Sequence, residues 1–185
     1  RRSCGTCSAS GAGTRTRTGS RPPGSPRATP RRTAKPSGDL HEHRVATALR
    51  NRGWTVHPCG QGTYPHAIRN ALRHTRSAFR QFPDLIAARG SDIITIDAKD
   101  HMPSTTTNRY AISTTTLNAG LQLTALHAPT PLYYVFGDLK VLTPVEVLHY
   151  TEHAHRHTSG AYHLINTHRA HLFDDVFGTA AAQAA

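Results

Sequence analysis

Long apolar runs are missing. No stretch of about eighteen apolar residues occurs, so no segment can cross a bilayer as a helix. The Arg-rich opening lacks the apolar core of a secretory leader, and an intracellular, cytoplasmic setting is expected. Cysteine is scarce, with three in 185 residues. That odd count, with Cys4 and Cys7 in a Gly- and Ser-rich opening and Cys59 alone, excludes a disulfide framework. Acids are few, 11 against 22 Lys and Arg, and the net charge of +11 points to a polyanionic partner. The sequence opens on Arg rather than Met, which suggests a processed product, a fragment or an unusual gene start.

The charge is uneven. Nine bases and no acid fall in residues 1–37, leaving thirteen bases against eleven acids in the rest. Residues 1–36 are Gly, Ser, Thr, Pro and Arg with almost nothing large and apolar, so they read as a disordered basic arm that either raises nucleic-acid affinity or merely links. Cys4-Gly5-Thr6-Cys7 is half of a zinc arrangement without a second half nearby. A single domain is expected over 37–178, with an Ala-rich, frayed tail at 179–185.

The most informative stretch runs from Phe82 to Lys99. Two β-prone runs, Leu85 to Arg89 and Asp92 to Ile96, flank Gly90-Ser91, the pattern of a two-residue type II′ hairpin. Pairing Arg89 with Asp92 carries Asp84 directly opposite Asp97. Like charges about 5 Å apart across a ladder repel, and a hard divalent cation is the natural neutraliser. Strand alternation then sets Lys99 on the face of Asp97.

Pro83-Asp84 followed by Asp97-Ala98-Lys99 resembles the core of the PD-(D/E)xK nuclease superfamily, of restriction-endonuclease and Holliday-junction-resolvase type. The resemblance implies an α/β fold, a central mixed sheet flanked by helices, from about Ser37 to Ile165. It implies Mg²⁺, with Mn²⁺ as substitute, held by Asp84, Asp97 and the Ala98 carbonyl, with Lys99 catalytic and DNA as substrate. Resolvase-like members add a first-helix Glu, and Glu42 matches it; the competing reading makes Asp39 and Glu42 a capping box. Endonucleases that cut two strands are often homodimers, which makes a homodimer a further expectation. Gln122 matches a supporting helix glutamine, but Leu126 stands where the exonuclease QxxxY pattern has tyrosine, which argues against that branch.

Ser37 and Asp39 are candidate caps for a helix from Leu40 to Arg52 that buries Val45, Ala46 and Leu49. Trp54 to Val56 reads as a strand. His66 to about Arg80 reads as a second helix with Ile68, Leu72, Thr75 and Phe79 inward and Arg69, Arg73, Arg76 and Arg80 in a neighbouring stripe, suited to DNA phosphates. Tyr110 to Leu126 should be a third helix, packing through Leu117, Leu121 and Leu126. Leu132 to Phe136 reads as a strand buried on both faces, with Leu139 to Leu142 continuing the sheet. Thr143-Pro144-Val145-Glu146 is a capping box opening a helix to about His157, along which His149, His153 and His157 make a solvated row, with His155 beside it. Tyr162 to Ile165 reads as a strand and Thr167 to Phe177 as a last helix. The expected activity is metal-dependent DNA hydrolysis. Its rivals are a catalytically idle DNA-binding module and a zinc protein built on Cys4, Cys7 and the histidines.

Overall fold

The computed structural model describes residues 36–75, 78–100, 102–158 and 160–180. The Cys4/Cys7 pair, residues 1–35 of the basic arm, Arg76 and residues 181–185 lie outside them. Helix α1 (Pro36–Arg50) buries the expected stripe, Val45, Ala46 and Leu49. It begins earlier than the sequence suggests, so Ser37 and Asp39 lie within the helix rather than at its cap. Gly53, at φ 78°, takes the left-handed turn that leads into strand β1 (Thr55–Pro58). β1 pairs antiparallel with β2 (Leu85–Arg89), and β2 with β3 (Asp92–Lys99).

The hairpin has the expected register, Arg89 facing Asp92 and Leu85 facing Ile96. Gly90 has φ 61° and Ser91 is not left-handed, as a type II′ turn requires. Alternation sends Leu85, Ala87, Ile94 and Ile96 into a core with α1, while Thr95, Asp97 and Lys99 face the other way. Strand β5 (Leu132–Phe136) lies parallel to β3, with Asp97 beside Tyr134 and Lys99 beside Phe136. Val135 joins the α1 core and Leu132, Tyr134 and Phe136 a second core, so β5 is buried on both faces as read. The central sheet runs β1-β2-β3-β5-β6-β9, with β6 (Lys140–Leu142) and β9 (His171–Leu172) antiparallel at one end. This is the mixed α/β architecture, sheet flanked by helices, that the element order implied.

Four stretches differ from the sequence reading. The basic helix stops early: α2 covers His66–Arg73, and a 3-10 turn, Ala78–Gln81, follows. No residue of α2 is buried, and Ile68 and Phe79 stay exposed, because α2 packs mainly against the short 3-10 turn rather than on the sheet. Arg69 and Arg73 are on α2 and Arg80 is on the 3-10 turn, so these three do not share one helical stripe.

The expected third helix is a strand, β4 (Arg109–Ser113), followed by α3 (Thr114–Leu126). Ser113 is the cap, its side chain accepting the Thr116 N–H, and that ends the strand where the helix starts. Leu117 and Leu121 pack on the second core, but Leu126 is exposed. Helix α4 (Pro144–His149) has its capping box but ends at Tyr150, and residues 153–157 form β7 (His153–His157). The histidine row is thus not a helical face. β7 pairs with β8 (Gly160–Asn166), which pairs with β4, making a separate three-stranded sheet. The expected last helix is a 3-10 turn (Thr167–Arg169), then β9 and the short α5 (Phe173–Phe177).

Candidate active site

The end of the hairpin away from its turn carries the candidate site residues Asp84, Asp97 and Lys99. Asp97 is buried on β3, and its Oδ1 lies 2.6 Å from Lys99 Nζ two residues along. Asp84 sits one residue before β2, where the ladder slips: its N–H donates to the Ile96 carbonyl at 2.8 Å rather than pairing squarely with Asp97. Its Oδ2 accepts the Ala98 N–H at 2.9 Å. The loop after β1 clamps the Asp84 backbone, the N–H groups of Cys59 and Gly60 both donating to its carbonyl at 2.8 and 3.0 Å. Gly60 has to be glycine for this approach, since a Cβ there would lie 2.9 Å from Asp84 Oδ1 and 3.0 Å from its Cα.

These groups share a cleft of about 390 Å³ with Glu42 of α1. Gln61, Arg80 and Gln81 complete its rim. Gln61 donates through Nε2 to the Arg80 carbonyl, and Gln81 Oε1 lies 3.5 Å from the Thr116 hydroxyl of α3. Burial, then the charges of Asp97 and Glu42, push the Asp84 carboxyl up to about 8, against the opposing pull of the Ala98 N–H and Lys99. Three carboxylates feel one another there with one ammonium to balance them.

Of the residues singled out from sequence, Asp84, Asp97, Ala98, Lys99, Glu42 and Arg80 line this cleft. Arg69 and Arg73 are exposed on α2 and do not line it. Gln122 is also exposed and outside the cleft. The glutamines that do line it, Gln61 and Gln81, escaped the reading. Both come from 3-10 turns whose position depends on tertiary packing, although a polar residue directly before Phe82-Pro83-Asp84 was a usable hint for Gln81. Cys59 is half-buried beside Pro83, and burial and the charge of Asp84 push its thiol up to about 11, which makes it a poor nucleophile.

Among the described residues no three His, Cys, Asp or Glu side chains form a ready metal cluster. The donor set nevertheless fits a hard cation: Asp84, Asp97 and Glu42 line one cleft, and Mg²⁺ or Mn²⁺ there would favour the charged form of the Asp84 carboxyl that burial, then Asp97 and Glu42, disfavour. No helix of the described residues is long and apolar enough to cross a membrane.

Fold and cleft together define a mixed α/β protein with a carboxylate and amine site at the mouth of a hairpin. A solved structure to which the chain is similar is that of Archaeoglobus fulgidus Hjc, a Holliday junction resolvase from an archaeal hyperthermophile. Identity is 14%, the TM-score is 0.49, and the match covers 76% of this chain and 100% of that one. No family model matches the chain, and no curated protein matches it significantly.

Proposed function

We propose that the chain is a metal-dependent DNA endonuclease of the PD-(D/E)xK type. The observation that carries this reading is the convergence of Asp84, Asp97, Glu42 and Lys99 on one cleft with Arg80 at its rim. Asp84, Asp97 and Glu42 are the residues that would hold Mg²⁺, with Mn²⁺ as substitute, and the Ala98 carbonyl is a further candidate. Bound there, the cation supplies Lewis-acid polarisation of the phosphodiester and a more acidic water. Lys99, held against Asp97, orients the attacking water and offsets the charge that builds on the phosphoryl oxygens. Arg80 supplies a phosphate contact at the rim, and Arg69 and Arg73 extend the basic surface along α2 without reading bases. Water adds to phosphorus as the P–O bond to the leaving strand breaks.

The test is nicking of supercoiled plasmid with Mg²⁺. Asp97→Ala or Lys99→Ala should lower the rate by about a hundredfold or more. Both should leave DNA affinity, measured in chelator, within about threefold, since neither removes a phosphate-contacting arginine. Cleavage that survives in the Asp97 variant would mark a contaminant and remove the proposal. Binding without any cleavage by the unaltered protein would leave an idle DNA-binding module.

A further inference from the structure

A second cleft of about 450 Å³ opens beside the first, and the two share Glu42 and Gly62. Its apolar lining comes from the exposed Pro58, with Ala46 and Leu85 behind it. Its rim is basic, with His43, Arg50 and Arg69, and Glu42 is its one acid. Arg50 donates through one nitrogen to the Val56 carbonyl at 3.3 Å, and its side chain is exposed. Gly62 lines both clefts, and a Cβ there would meet nothing within 4 Å.

An apolar floor under a cationic rim is the chemistry of a nucleotide: a flat base below, an anionic phosphate above. The volume is that of a site for one small molecule, about 300–1,000 Å³, and too small for a duplex. A base stacked and paired within a helix shows only its edges, so its face reaches such a floor only when unpaired. We propose that this cleft seats one unpaired nucleotide of the strand whose neighbouring phosphate occupies the catalytic cleft. The preferred substrate then carries a single-stranded segment beside the cut. This rests on the nuclease reading for the identity of the strand, and it assigns Arg50 and His43, in addition to Arg69, to substrate binding.

Fluorescence anisotropy of the full chain in chelator separates the two ideas, using a labelled blunt duplex and the same duplex with a single-stranded extension. The unaltered protein should bind the extended duplex about tenfold more tightly, the scale of covering one face of a base with apolar surface. Arg50→Ala, and separately His43→Ala, should remove that preference while blunt-duplex affinity changes less than about twofold. Equal binding of the two DNAs by the unaltered protein overturns the seat. So does a loss of the same size on both DNAs, which would make Arg50 and His43 ordinary duplex contacts. Preference without plasmid cleavage keeps the seat and removes the nuclease; cleavage without preference does the reverse.

Discussion

Beneath the Lys99 ammonium lies the ring of Tyr134, whose centroid is 5.6 Å from Nζ. The tyrosine is fully buried, and its hydroxyl donates to the Thr116 carbonyl of α3 at 3.1 Å. Burial, then the charge of Asp97, hold that phenol well above its ordinary value, so it stays a neutral donor. Room for it comes from Gly120: a Cβ there would run into the Tyr134 hydroxyl and lie 3.2 Å from its Cζ and 3.1 Å from Pro144 Cγ. In an exposed helix Gly→Ala stabilises by about 1 kcal/mol, but here overpacking of about 1–3 kcal/mol opposes it. Gly120→Ala should therefore be destabilising in urea unfolding, and Tyr134→Phe in the same background should recover part of the loss. Simple additivity of the two single changes would show that the hydroxyl is not what the methyl meets.

At the opening of α4, Thr143 and Glu146 cap each other, with Glu146 Oε2 accepting the Thr143 N–H at 2.8 Å, and His171 Nε2 lies 2.6 Å from Glu146 Oε1. Burial alone would push the Glu146 carboxyl up, but the Thr143 N–H, His171 and the Thr143 hydroxyl together hold it below its usual 4.5. A carboxyl depressed in the folded state contributes stability above its unfolded value and loses it as pH falls through the folded one. Thermal unfolding should thus separate the natural chain from Glu146→Gln at pH near neutrality, with the gap closing below about pH 4.5. A gap that stays constant with pH would mean the carboxylate charge contributes nothing. This cap was legible in the sequence because its partners are three residues apart, as was the hairpin, whose Gly90-Ser91 turn sets the register from Arg89–Asp92 to Leu85–Ile96, whereas the slip at Asp84 was not. β4 and β7 were not. Tyr110 pairs with Ile165 and His153 with Leu164, and a row of histidines four apart in number serves a helix or a strand equally well until its partner is known.

Across the whole molecule the residues that close the α1 core come from α5. Phe177 is buried edge-on to Trp54 and Tyr133, and its carbonyl accepts Trp54 Nε1–H at 3.0 Å and Arg89 Nη1–H at 2.9 Å. Arg89 also stacks on Trp54, and Arg52 Nε donates to Asp174 at 2.8 Å. Phe177→Ala should cost about 3–5 kcal/mol, seen as a lower urea midpoint, and a loss under about 1 kcal/mol would mean that α5 merely covers the core. None of this closure was readable beforehand, since 88 residues separate Arg89 from the carbonyl it holds. The same separation has a meaning for a chain still on the ribosome. The strands bearing Asp84 and Asp97 emerge long before the segment that walls their core, so a nascent chain carries its acidic groups on an unfinished support. Any cutting ability of that hairpin would wait until the chain has been made at least as far as Phe177.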